Sequence, residues 1–246
     1  MNALLLLLLD SRAPAGAHHH SGGMEAAVRA GLVRGPADLE DFCRAKLRTS
    51  ARVSASFAAA ACGLTGAERT GSPAPWQDRA QREWVQREWA LLDAEFGART
   101  PSEATRTASR QLGRGLLRLF RSVIPEADLV TPWSLCPGPA PHHPLVLGAG
   151  VSLAGGTPEL AARAAALAAC AGPASAAVRL LGLDPFAVQA MLARLAPGVD
   201  ECAAFAARCA AECAAGAPSA LPTDGAPALD LLADYHLTAE VRLFAS

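Results

Sequence analysis

Isoleucine, tyrosine and lysine each occur once in 246 residues, as Ile124, Tyr235 and Lys46, while alanine and leucine dominate. That supply of side chains favours helix over sheet. Charge is also scarce: charged residues make up 18% and the formal net charge is -1. No whole-molecule field therefore draws the chain to nucleic acid or to an anionic membrane. The leucine run Leu4–Leu9 is far too short to span a bilayer, has no basic residue before it and meets Asp10 at once. It reads as a buried first helix rather than a signal peptide or membrane anchor. Missing too are the G-x-x-x-x-G-K-[ST], C-x-x-C, H-E-x-x-H and G-x-S-x-G patterns, which argues against a P-loop GTPase, a structural zinc site, a metalloprotease and an α/β-hydrolase. The seven cysteines are odd in number and lie in alanine-rich stretches, as reduced core residues of a cytoplasmic protein do.

What is present is a succession of helix signals. Apolar residues reach 51%, enough for one large domain with a buried core. Pro36 opens a segment that runs through Leu39, Phe42, Leu47 and Phe57 to Cys62 and closes at Gly63. A second segment covers Trp76–Phe96 and stops at Gly97. Thr100-Pro101-Ser102-Glu103 has the form of a capping box and starts a long helix, on which Arg106, Arg110, Arg114 and Arg118 share one face. A loop over 132–144 carries His142 and His143; Thr157-Pro158, Gly172-Pro173 and Asp184-Pro185 then each mark the boundary of another short helix. Val199–Ala215 is the next helix, 216–227 a flexible linker rich in Pro, Gly and Ser, and a last short helix leads into the tail 238–246. The expected architecture is all-α: a single-domain bundle of about nine or ten helices over 1–246.

Four separated pieces carry a resemblance. The first is the turn after the leucine run, with Asp10, Ser11, Pro14, Gly16, His20, Ser21, Gly23 and Glu25. The others are WALLDAEFGARTPSEATRTASRQLGRGLL (89–117), PHHPLVLG (141–148) and the ending VRLFAS. Together, in this order, they resemble the UreF family of urease accessory proteins. His18 and His19 depart from that pattern, and Met24 replaces leucine at nearly equal volume. The resemblance implies a non-enzymatic protein that forms a homodimer, binds the UreD/UreH scaffold and recruits the GTPase UreG, so that nickel reaches apo-urease. It casts Glu25, Arg106, Arg110, Arg242, Leu243 and Phe244 as partner-binding residues, and Asp10, Ser11, Gly16, His20, Ser21 and Gly23 as a structural turn. It implies no cofactor and no metal of its own.

Several residues admit a second reading. His18-His19-His20, with His142-His143, suit nickel or zinc chemically, so a nickel-binding carrier is the alternative function. Adjacent histidines project in different directions, however, and no carboxylate sits at ligand spacing. Cys202, Cys209 and Cys213 share a helical face that is otherwise alanine, as close helix packing requires. The arginine row is either a solvated face or a set of contacts to phosphate or a GTPase. Ser21 beside His20 is better placed to cap the helix starting near Met24 than to act as a nucleophile.

Overall fold

In the computed structural model the described residues are 3–9, 20–70, 79–124, 138–214, 220–236 and 243–244. Among them are ten helices and no strand, as the composition predicts. They are α1 (Ala3–Leu8), α2 (Met24–Arg29), α3 (Pro36–Arg48), α4 (Ser50–Thr70), α5 (Arg79–Ala98), α6 (Glu103–Val123), α7 (His143–Leu153), α8 (Pro158–Leu181), α9 (Pro185–Ala214) and α10 (Pro227–His236).

The centre is α4, which packs against α7, α8 and α9. Its sequence explains the position: Ala51, Ala55, Ala58, Ala59 and Ala61 are all buried, around the bulky Phe57. Alanine on several sides of one helix lets several partners come close. On α7 a Cβ at Gly148 would collide with the Ala58 carbonyl, so that helix pair needs glycine at its point of closest approach. The α8 helix has the length and hydropathy of a membrane span, yet it packs on α2, α3, α4, α7 and α9.

Helix boundaries departed from expectation where tertiary packing outweighed local signals. The single segment expected over 36–63 is two helices, broken at Thr49, whose φ of -130° and ψ of -109° leave the helical region. Gly63 does not end α4, which continues to Thr70. Gly172-Pro173 is no boundary either: α8 runs through Pro173, and α9 begins at Pro185 and runs through Pro197. An internal proline costs about 3 kcal/mol. In α8 the buried Cys170, Ala174, Ala176 and Ala177 lie on both sides of Pro173, and their burial offsets that cost.

Thr157 and Asp184 do begin helices. Thr157 Oγ1 accepts from the Leu160 N–H at 3.2 Å, and the Asp184 carboxylate accepts from Phe186 and Ala187. The cap of α6 lies two residues later than the capping box predicts. Ser102 Oγ accepts from the Thr105 N–H, and Ser102 in turn donates to Asp234 on α10 at 2.6 Å. Thr100 instead donates to the Phe96 carbonyl. Of the linker expected over 216–227, residues 220–227 are described: Leu221 is buried, and Pro227 already begins α10. Arg99 holds this stretch through the Pro222 carbonyl, with its own charge paired to Glu95.

Candidate functional site

The short turn before α2 is built on two glycines in the left-handed region, Gly22 at φ 58° and Gly23 at φ 90°. Gly23 is the N-cap residue of α2 and supplies no side-chain cap. Ser21 does not cap either, contrary to expectation: its hydroxyl is buried without a hydrogen-bond partner, and only its carbonyl receives the Met24 N–H. The turn delivers Glu25 into the interior, where it is 1% exposed. There its carboxylate accepts the backbone N–H groups of Leu243 and Phe244, each at 2.9 Å, and pairs with Arg29 at 3.1 Å.

Glu25 is thus a latch for the carboxyl end of the chain. Phe244 is buried at 7% exposure, with the Arg179 guanidinium 4.3 Å from its ring centroid. Leu243 points outward at 71% exposure. The tail expected to serve a partner is therefore divided between one residue in this chain's own core and one on its surface. Two more large apolar residues are exposed on α10, Leu231 at 73% and Tyr235 at 76%, one turn apart. The opposite side of α10 packs on α6 and on α2, the helix that carries Glu25. Arg242, Asp10, Ser11, Gly16, His18 and His19 lie outside the described residues.

A second constellation joins α5, α6 and the start of α7. Asp93 is fully buried and receives the Arg110 guanidinium at 2.9 and 3.4 Å. The His142 backbone N–H adds a third bond at 2.9 Å, and Arg110 also donates to the Ala140 carbonyl at 2.5 Å. Burial raises the Asp93 carboxyl above its ordinary range, against the pull of the His142 N–H and Arg110. Neither arginine singled out in the sequence is simply part of a solvated row. Arg110 closes the buried pair, and Arg106 donates to the Thr100 and Pro101 carbonyls at 2.7 and 2.6 Å. Arg114 and Arg118 are the exposed members. The His142 ring lies 4.8 Å from Phe96, with no hydrogen-bond partner on either nitrogen, and burial pushes its pKa down to about 3. Gly113 completes the junction, because a Cβ there would collide with the Pro141 carbonyl.

Between these two constellations lies a cavity of about 230 Å³, lined by His20, Gly22, Lys46, Arg99, His143 and Asp230 among others. Lys46 donates to the Gly22 carbonyl at 3.0 Å, and burial lowers its pKa. Burial, then the neighbouring His20, holds His143 down at about 4. His143 can therefore act as a neutral donor or ligand at pH 7. Even so, no group of three or more His, Cys, Asp or Glu among the described residues is placed to hold a metal ion. Cys202, Cys209 and Cys213 pack against the core, and burial pushes all three thiols up.

Comparison with known proteins settles the family. A sequence model of the UreF family matches residues 33–196. A urease accessory protein UreF from Mycobacterium marinum is 41% identical over 244 residues, covering 99% of this chain and 98% of the relative. The chain belongs to the UreF family. A UreF from Mycolicibacterium vanbaalenii is 40% identical over 244 residues, and one from Mycobacterium tuberculosis is 38% identical over 247, each at 99% coverage of this chain. UreF proteins are urease accessory proteins, not enzymes.

The pieces that carry the UreF resemblance in the sequence converge in space. Asp93 and Phe96 of the second piece meet His142 of the third, and Ser109 Oγ accepts the His143 N–H at 3.2 Å. Glu25 of the first meets Leu243 and Phe244 of the last. Sequence reasoning missed Asp93, whose partners Arg110 and His142 lie 17 and 49 residues away. It also missed Asp234 and Arg179, for which nothing local gives a signal.

Proposed function

We propose that this chain acts in urease maturation as a recruiting subunit. It binds the UreD/UreH scaffold through its carboxyl end and brings in the GTPase UreG, so that nickel is delivered to apo-urease. The observation that supports this most directly is the latch. Glu25 holds the Leu243 and Phe244 backbone N–H groups while Leu243 projects outward, and α10, which packs on α2, exposes Leu231 and Tyr235. Exposed large apolar side chains of this kind are what the core of a protein–protein interface is made of. Leucine and tyrosine there would each contribute on the order of 1.5–3 kcal/mol on burial against a partner.

The reading extends to a homodimer in the cytoplasm, as the family resemblance implies. GTP chemistry in such a complex belongs to UreG, because this chain's sequence has no phosphate-cradling loop. Arg106 and Arg110 serve GTPase recruitment indirectly, by holding the α5–α6–α7 junction in shape. A pull-down from cells co-expressing the urease operon tests the proposal. Wild type retains UreD/UreH and UreG, and a chain lacking residues 240–246 loses both while keeping its helix content. A truncated chain that still captures the scaffold refutes the tail as its binding element.

A further inference from the structure

Cys43 on α3 and Cys170 on α8 face one another in the interior. Cys43 Sγ lies 3.9 Å from the Cys170 carbonyl oxygen, and Cys170 Sγ lies 3.8 Å from the Cys43 carbonyl oxygen. Both are fully buried. Lys46 follows Cys43 by three residues on the same helix and so shares its face. Its ammonium is held by the Gly22 carbonyl and borders the cavity described above. Two buried thiols and one cation that borders the cavity form a cluster for which neither the latch nor the junction has any use.

The chemistry of the two sulfurs differs. A hydrogen bond from the Cys43 thiol, with Lys46 nearby, holds the Cys170 thiol below its usual range, while Cys43 itself is pushed up. Burial drives Cys62 and Cys202 up to about 11, and raises Cys209 and Cys213 as well. Thiolate character decides which cysteine reacts. Among these six, it favours Cys170.

We propose that Cys170 and Cys43 are a peroxide-reactive dithiol that closes into a disulfide between α3 and α8. The Cys170 thiolate attacks the O–O bond of a hydroperoxide; the alcohol (water, for hydrogen peroxide) leaves with a proton taken from solvent, and Cys170 becomes a sulfenic acid. The Cys43 thiol then displaces hydroxide from that sulfur, its proton leaves with the hydroxide as water, and the S–S bond forms. The two sulfurs lose two electrons and the peroxide O–O bond gains them. Neither thiol lines the cavity, so a hydroperoxide reaches the pair when the α3–α8 contact beside Lys46 opens locally. In a reducing compartment such a bridge is transient, as suits a sensor. The mechanical consequence follows from Pro173, one turn after Cys170, which packs beneath Gly22. Fixing α8 to α3 clamps the seat of the turn that delivers Glu25.

The test uses the full-length reduced protein, dosed with hydrogen peroxide under native conditions, alkylated and mapped by mass spectrometry. The expected product has lost two hydrogens and yields linked peptides containing positions 43 and 170. Cys43→Ser should stop at a Cys170 sulfenic acid that dimedone traps, and Lys46→Met should slow the loss of Cys170 about tenfold. Recovery of both thiols as alkylated free cysteines after Cys209 and Cys213 have been consumed overturns the proposal. So does a bridge that forms only in denaturant. Both outcomes are read on the wild-type chain, so a variant that fails to fold does not rescue the idea.

Discussion

Replacing Glu25 with alanine isolates the latch from the rest of the fold. The carboxylate accepts two backbone N–H groups at 2.9 Å, and a hydrogen bond to a charged group contributes about 1.5–3 kcal/mol. Burial of the Phe244 ring contributes a further ~1.5–3 kcal/mol. Ordering the backbone of Leu243 and Phe244 costs about 1–2 kcal/mol per residue. The Arg29 pair adds little, because Arg29 is 42% exposed. The net docking energy is then about 2–5 kcal/mol, a slowing of amide exchange of roughly 30-fold to several thousandfold. Loss of both carboxylate bonds removes about as much as this net value, so the tail should leave its seat in Glu25→Ala. Hydrogen exchange followed by mass spectrometry should show the Leu243 and Phe244 amides fast in the variant and slow in wild type, with α4 and α7 unchanged. Glu25→Gln, which keeps one acceptor oxygen, should fall between. If these amides exchange as slowly in Glu25→Ala as in wild type, the carboxylate is not what holds the tail.

The other predictions concern the junction, pH and the turn. Arg110→Met leaves Asp93 buried without its counter-charge, so urea unfolding should show a loss of about 3–5 kcal/mol, with the Asp93→Asn/Arg110→Met double variant losing less; a loss under ~1 kcal/mol would deny the pair a structural role. His142 and His143 have folded pKa values of about 3 and about 4 against an ordinary 6.5, so the unfolded chain takes up protons first as pH falls. Their stabilisation is complete above pH 6.5 and is lost at about 1.4 kcal/mol per pH unit per histidine below it; His142→Phe should flatten the fall in melting temperature between pH 7 and 5, and an unchanged slope would count against this account. Gly113→Ala forces a Cβ into the Pro141 carbonyl and should cost about 1–3 kcal/mol, whereas a neutral effect in thermal melts would mean that the loop yields freely. Replacing His18 and His19 together with alanine should leave urease activation intact; a folded double variant without activity would favour the nickel-carrier reading.

The sequence by itself determined the helical class, because alanine and leucine dominate while residues that favour strands are few. It also determined the starts of α8 and α9, because Thr157 and Asp184 satisfy helix N–H groups within three residues of themselves. Local signals failed at Gly63, Pro173 and Pro197, where the cost of a breaker is a few kcal/mol and burial on both sides outweighs it. The roles of Glu25, Asp93 and Arg110 were beyond local reading for the same reason. The partners of Glu25 lie 218 and 219 residues away, and those of Arg110 lie 17 and 30 away. A charged side chain on a helix reads as solvated until the tertiary fold removes the water and puts a hydrogen-bond partner in its place.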